Sequence, residues 1–468
     1  MAAAEAVVIG GGHAGMLAVG ALLGQVGKVT VVERDRYPDG PAFRAGVPQA
    51  RHLHNLVAGG QQALEKLLPG MVAALEDAGA RRLVPPRDIV IYSSGGWHHR
   101  FAFDRFQSVS CTRPLLDFVV RTRVLAEAAA AGTAVDVLEG TEVTGLLGAS
   151  DRVTGVRTRS RGAAQPEREV PADLVVDASG RGSRAPRWFE ALGLPAPAEE
   201  TVDAQLAYAT RMFRFTTGEP EYGVLVQSDP RLRRGGVLLP VEGGRWVLTL
   251  SGYNGLRPPT DEDMFLDYAA TLAHPYLHRL MKTAEPVSPV YGFLDTSNRN
   301  RRFEGQGASP DGFVVVGDAA SSFNPVYGHG LAAAAMQAVA MRDVLAKTGL
   351  RHGSSAAAQR AIARASRTPW RTATAVDRRY LAEAGAEDGS GTRTTVTGRL
   401  SRWFNDRLLA HCATNQQVAE AVHGVYGLAL PPARLLSPTV ALRTLVLAPG
   451  AGHAEPPAHA FDSRPGAA

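Results

Sequence analysis

Apolar and polar positions follow two different rhythms along this chain. Ala6-Val7-Val8-Ile9 is an unbroken apolar run, and Val29-Thr30-Val31-Val32 is another that ends on Glu33. Between them lies an Ala/Leu-rich stretch, residues 13 to 24, with the composition of a buried helix. Continuous runs of this kind belong to parallel strands covered on both faces. Helices are also expected at residues 56 to 68 and 113 to 131, with strands at 88 to 92 and near Phe101. Residues 135 to 147, 153 to 159, 167 to 170 and 174 to 176 have strand composition broken by turn residues. From residue 204 to 251 the rhythm changes to longer alternating strands (206 to 215, 223 to 227, 236 to 240 and 245 to 250), the pattern of an antiparallel sheet. Its aromatic residues Phe213, Phe215, Tyr222 and Trp246 are core by default, with some free to line a pocket. A helix at 261 to 272, a strand at 312 to 316 and a helix at 331 to 347 follow, and residues 349 to 425 are helical in composition. A Pro-rich tail starts at Pro431, and disorder is expected from Pro449 onward.

The join between the first strand and helix reads Gly10-Gly11-Gly12-His13-Ala14-Gly15, a G-x-G-x-x-G turn. Gly10 permits the tight turn, Gly12 lets the backbone approach a pyrophosphate, and Gly15 lets the helix pack closely on the sheet. Glu33, at the end of the second strand, is placed to accept from both hydroxyls of an adenosine ribose and would repel a 2'-phosphate. Among 50 glycines a bare match means little. The ordered strand, turn, helix, strand and terminal acid make it a dinucleotide grip.

Composition narrows the class. With 468 residues, 45% of them hydrophobic, the chain can hold two domains or one large domain with an inserted sheet. Cys111 and Cys412 form no CxxC pair, which argues against a disulfide framework or a thiolate zinc site. The net charge of +5 comes from interspersed arginines, so no nucleic-acid stripe is seen. No basic segment precedes the first apolar run, which is read as neither signal peptide nor membrane span, and a cytoplasmic location is expected. His52 and His54, and the adjacent His98 and His99, lack nearby acids or thiols in sequence, so no metal site is expected.

A second motif narrows the dinucleotide to a flavin. Gly312-Phe313-Val314-Val315-Val316-Gly317-Asp318 delivers an aspartate from a strand, and Phe323-Asn324-Pro325-Val326-Tyr327-Gly328-His329-Gly330-Leu331 then opens a helix. Asp318 can accept from a ribityl hydroxyl, while backbone amides around Gly328 and Gly330 can donate to the electron-rich edge of an isoalloxazine.

With these two motifs the chain resembles the flavin monooxygenases of the para-hydroxybenzoate hydroxylase fold, over most of residues 1 to 380. The resemblance implies FAD bound by Gly10, Gly12, His13, Ala14, Gly15, Glu33, Arg34, Arg44, Arg51, Arg113, Asp318, Pro325, Gly328, His329, Gly330 and Leu331. It also implies an α/β fold: a Rossmann-type FAD-binding domain in two parts (1–200 and 303–348), an inserted antiparallel-sheet substrate domain (201–302), a helical C-terminal region (349–430) and a Pro-rich tail (431–468). Residues 135 to 176 are then the family's three-stranded appendage and return strand.

Within that family, Val47-Pro48-Gln49-Ala50-Arg51-His52-Leu53-His54 together with Asn324 to Gly330 is most similar to the bacterial epoxidases of polyether biosynthesis, relatives of squalene epoxidase. That resemblance implies insertion of one oxygen atom from O2, through a flavin C4a-hydroperoxide, into alkenes of a linear polyketide or polyene. Such chemistry asks the protein for a dry, shaped cavity rather than for a base. No catalytic acid or base is assigned. Arg44, Arg51, His52 and Pro325 to Gly330 are candidates for the loop over the flavin.

One departure stands out. Asp177-Ala178-Ser179-Gly180 replaces the family's Asp-Gly middle motif, and there is no second G-x-G-x-x-G, so the flavin is reduced either weakly by NAD(P)H directly or by a separate flavin reductase. The rival readings are an aromatic (phenol-type) hydroxylase, a halogenase (disfavoured because W-x-W-x-I-P is missing), a prenyl-chain reductase and a flavin-binding protein without turnover.

Overall fold

The computed structural model describes residues 4–162, 166–216, 218–228, 230–305, 309–387 and 396–456. The first two apolar runs form strands Glu5–Ile9 and Lys28–Val32, which pair in parallel and are joined by the helix His13–Leu22. Leu174–Asp177 and then Phe313–Val315 extend the sheet on one side, and Ala134–Leu138 on the other, giving five strands that are parallel throughout. Strand side chains alternate between faces. Ala6 and Val8 therefore join a layer with helices His13–Leu22, Arg113–Ala130 and His329–Thr348, while Val7 and Ile9 join the opposite layer. That second layer is the antiparallel sheet Thr141–Gly148, Val153–Ser160 and Arg168–Pro171, with Trp188 and Phe189 of the helix Ala185–Ala191. Burial from both sides explains why the sheet strands read as continuous apolar runs.

A separate eight-stranded sheet carries the alternating region. Ala207–Phe215, Arg245–Gly252, Arg234–Val241 and Gly223–Val226 lie side by side as antiparallel neighbours, and Ala284–Pro286 and Tyr291–Phe293 pair along Ala207–Phe215. The sheet is not wholly antiparallel, nor wholly local. Gly223–Val226 pairs in parallel with Ile89–Ser93, which turns back into Gly96–Trp97. Helices Glu262–Ala270 and Tyr276–Met281 pack on one face against Val90, Phe213, Val224, Trp246 and Leu248. Alternation turns Ile89, Ile91, Leu225, Val237 and Leu239 to the other face, which fronts a cavity. Phe213, Phe215, Tyr222 and Trp246 all belong to the helix-covered layer, and none of them lines that cavity.

Several sequence expectations need correction. The helix at 56 to 68 begins later, at Ala58, because His54–Leu56 is drawn into a strand against Ser108–Cys111. Phe101 lies in no strand: it packs with Phe103 against the C-terminal helices, and the strands flank it at Gly96–Trp97 and Ser108–Cys111. The single run at 135 to 147 is two strands, broken where Gly140 adopts φ 61°. The Pro-rich tail contains a 3-10 turn, Pro432–Leu436, and a helix, Pro438–Val446, each opening on a proline whose missing N–H has no intrahelical partner at that position. Disorder from Pro449 does not hold through Pro456, since His453 bridges to Trp97; the rest of that stretch lies outside the described residues. Helices Ser354–Glu387, Val396–Thr414 and Gln416–Tyr426 make up the expected helical region. Among the described residues no helix is long and apolar enough to cross a membrane.

Candidate active site

The glycine turn has the geometry its spacing requires. Gly10 sits at φ 91° and donates its N–H to the Val32 carbonyl at 2.9 Å, which ties the turn to the second strand. A Cβ on Gly15 would stand 1.8 Å from the Gly10 carbonyl oxygen, so only glycine allows the helix this close. Gly12 caps the helix with no side-chain hydrogen bond, leaving first-turn N–H groups open to an anion. The Glu33 carboxylate accepts from the Gly11 N–H at 2.8 Å and the Asp35 N–H at 2.9 Å, and pairs with Arg44 at 2.9 Å. A carboxylate has about four lone-pair sites, so Glu33 retains capacity for ribose hydroxyls. Tyr37 donates to the Gly11 carbonyl at 2.8 Å, and Arg34 donates to the Gly46 carbonyl at 3.2 Å.

This turn opens into one cavity of about 1350 Å³. Of the sequence-predicted cofactor residues, Gly10, Gly12, His13, Ala14, Glu33, Arg34, Arg44, Arg113, Asp318, Pro325, Gly328, Gly330 and Leu331 line it. His13 is buried with both ring nitrogens lacking a protein partner, and burial, helped by the Arg113 charge, lowers it to about 4. A neutral imidazole with unused nitrogens beside the cradle fits a bound polar ligand. Asp318 follows the strand Phe313–Val315; burial pushes its carboxyl up, opposed by Arg113, Arg181 and Arg299. Gly328, at φ 66°, caps the 20-residue helix His329–Thr348 without a side-chain bond, so a second helix N-terminus faces the same space.

Three predicted residues stand elsewhere. Gly15 serves the helix–strand approach. Arg51 is not over the cavity: its guanidinium lies on the rings of Phe43, at 5.0 Å, and Tyr291, at 4.5 Å. His329 is buried and meets the Tyr426 carbonyl through Nε2 at 3.0 Å, tying the helix start to the C-terminal helices.

The paired histidines act as a hydrogen-bonded chain. His54 Nδ1 donates to the His52 carbonyl at 2.9 Å, which leaves Nε2 to accept from Arg113 at 3.5 Å. His52 Nδ1 meets Thr210 Oγ1 at 2.9 Å, and Thr210 meets Thr249 at 2.8 Å, so the run reaches the eight-stranded sheet. Burial lowers His52 to about 4 and His54 to about 3, with Arg51 and Arg113 adding to each in turn. Arg113 also donates to Asp117 at 2.7 Å. Burial alone would raise that carboxyl, and the Arg113 guanidinium reverses this and holds it below its ordinary range.

Sequence reasoning missed two contributors, Asp117 and Asp377. Asp117 was legible as an i,i+4 partner of Arg113 on a helix. Asp377 was not: from the long helix it accepts from Asn298 at 2.5 Å, from Asn324 at 3.0 Å and from Tyr327 at 2.7 Å, and so pins the Pro325–Tyr327 turn. The altered middle motif folds on itself. Asp177 accepts the Ser179 N–H at 2.9 Å and the Ser183 hydroxyl at 2.5 Å, while Arg181 pairs with Asp295 at 2.7 Å. Ser179 to Gly182 line the cavity.

Comparison with known proteins agrees with this geometry. Protein Rv3254 of Mycobacterium tuberculosis is 35% identical over 385 residues, covering 78% of each chain. Among solved structures, the flavin-dependent brominase Bmp2 aligns with a TM-score of 0.59 at 16% identity, over 91% of this chain and 93% of its own. PqsL, a probable FAD-dependent monooxygenase from Pseudomonas aeruginosa, gives 0.57 at 18% identity over 82% and 97%. At such identities these structures speak for the fold, which is that of flavin-dependent monooxygenases and halogenases of the para-hydroxybenzoate hydroxylase type. The family described as FAD binding domain matches residues 3–376, so the glycine cradle, Glu33 and the Asp318 strand all fall within it, and the chain belongs to that FAD-binding family.

Proposed function

We propose that this protein is an FAD-dependent monooxygenase that adds one oxygen atom from O2 across a carbon–carbon double bond of an apolar polyene, of the kind carried by linear polyketides. The observation that carries the reading is the wall of the cavity. Ile89, Ile91, Leu225, Val237 and Leu239 form one apolar face of it, and two polar rings of the same cavity, His52 and Tyr208, are kept uncharged by burial, while the charged Arg231, Arg379, Glu383 and Asp406 also line it. Reduced FAD, when bound, supplies an electrophilic oxygen from O2. An alkene is already a nucleophile toward such an oxygen, whereas a phenol is activated by losing a proton. The apolar sheet face suits the first better, because it excludes water and orients a chain without offering a base of its own. Glu33 and the two helix N-termini would hold the cofactor, and Arg113, fixed by Asp117 and His54, would stand against it.

One observation favours a second reading. Tyr253 and Tyr380 stack at 3.7 Å and line the cavity, a surface on which an aromatic substrate could lie. For the reductant, the inward-folded Asp177–Ser179 turn supports delivery by a separate flavin reductase. Incubation of FAD-loaded protein with O2, NADPH, a flavin reductase and a long-chain polyene tests the proposal through product mass. A gain of one oxygen, as an epoxide that opens to a diol in acid, is the expected result. Peroxide release without product from the polyene, together with hydroxylation of phenols, would overturn it. Fast flavin reduction by NADPH alone would overturn the reductase requirement.

A further inference from the structure

We propose that His98, Cys412 and His423 form a binding site for a thiophilic closed-shell metal ion, zinc(II) or copper(I), in the wall of the cavity. The inference does not rest on the oxygenase reading. It begins from convergence: one ligand atom of each residue lies within 4.8 Å of the other two, and all three residues line the cavity. They come from three separate elements. His98 follows the strand Gly96–Trp97, Cys412 lies on the helix Val396–Thr414, and His423 on the helix Gln416–Tyr426. The His99 N–H donates to the Ala413 carbonyl at 2.8 Å and holds the first of these against the second. Ligand atoms bound at about 2.0–2.3 Å around one tetrahedral ion lie about 3.5 Å apart, so closure asks for a contraction of about 1 Å.

A second, independent observation points to a ligand. His98 Nδ1 and His423 Nε2 are both buried with no hydrogen-bond partner, a condition that costs about 1–3 kcal/mol per group when nothing satisfies it. His98 Nε2 meets Ser93 Oγ at 2.9 Å, the outer-shell bond that fixes a ligating imidazole and leaves Nδ1 free for an ion.

The set is soft and borderline, two imidazoles and one thiol with no carboxylate among the three, which selects zinc or copper(I) over magnesium or calcium. Binding forms a metal–sulfur bond and releases the Cys412 thiol proton to solvent. Copper(I) with one thiolate is neutral and needs no further ligand. Zinc(II) keeps a fourth position, which opens on the cavity and takes a water or a polar group of whatever enters. No local motif marks the set, since the ligands are spread from residue 98 to 423 and share no short-range spacing.

The test uses the full-length, FAD-loaded protein, stripped of metal and titrated in separate arms with Zn2+ and, without oxygen, Cu+. The expected result is one equivalent of one ion per chain, with an X-ray absorption spectrum at its edge showing one sulfur and two imidazole nitrogens, and for zinc one further oxygen or nitrogen neighbour. C412S and H423Q should each abolish uptake while flavin absorbance persists, which shows that the fold survives. S93A should weaken uptake about tenfold or more. C111S, which changes the other buried thiol, should leave uptake intact. Uptake of neither ion, a shell without sulfur, or binding that survives both C412S and H423Q would overturn the proposal.

Discussion

The glycine cradle and the apolar wall enclose the same cavity, yet they are specified in opposite ways. The cradle is local. Gly10 to Gly15 and Glu33 lie within one strand–helix–strand unit, and their contacts follow from the tight turn and the parallel register. The wall is assembled from afar: Ile89–Ser93 joins Gly223–Val226 across the chain, and Cys412 and His423 arrive from the C-terminal helices. The local part is rigid because backbone meets backbone, so a change there should act on cofactor retention. The distant part presents its side chains from a sheet whose backbone pairing does not depend on them, and should tolerate change in those side chains without losing the flavin.

The strongest way to break this comparison is Gly15→Val. With a Cβ 1.8 Å from the Gly10 carbonyl oxygen, nothing flexible can yield, and the purified protein should lack flavin absorbance. Full loading of that variant would show that the cradle is not where the cofactor sits. Next is Glu33→Ala, which loosens the turn it ties to Gly11 and Asp35 and removes the acceptor for ribose hydroxyls; a charged hydrogen bond is worth about 1.5–3 kcal/mol, so FAD affinity should weaken about 10- to 100-fold, read by titrating the apoprotein. Wall substitutions such as Ile91→Ala should leave that affinity unchanged while altering which of a set of trial substrates is turned over.

Asp377→Asn sharpens the comparison from the distant side. Its carboxylate accepts from three donors, and an amide presents an NH2 to one of them, so urea denaturation should report a loss of about 2–4 kcal/mol. The smallest effect concerns pH. His52 and His54 stay neutral when folded, at about 4 and about 3, against 6.5 when exposed. As pH falls below 6.5 the unfolded chain takes up protons that the folded chain refuses, so stability declines from pH 7 toward pH 4. Each ring contributes up to about 2 kcal/mol between pH 7 and pH 5. In His52→Gln the slope of stability against pH should be shallower over that window; an unchanged slope would mean that the ring is solvated.

The same division decided what the sequence disclosed. The strand and helix around Gly10 to Gly15 were legible because periodicity and glycine spacing are local signals. So was Asp318, which a continuous apolar strand delivers. The Ile89–Ser93 strand was visible as a strand but not as a member of the eight-stranded sheet, because strand composition does not name a partner. Arg51 was misplaced for a related reason: its motif fixed the backbone, and the rings of Phe43 and Tyr291, which the motif does not contain, fixed the side chain. Pro432 and Pro438 suggested a tail because proline breaks helices, yet at a first turn it starts them.

Asp377 carries a consequence for anyone dividing this chain. The region shared with the FAD-binding family ends at residue 376, one position before the carboxylate that gathers Asn298, Asn324 and Tyr327. A fragment cut at that boundary would contain every recognisable motif and would lose the anchor of the loop that carries the last of them. The stretch matched by the family and this protein's smallest workable unit are therefore different lengths of chain.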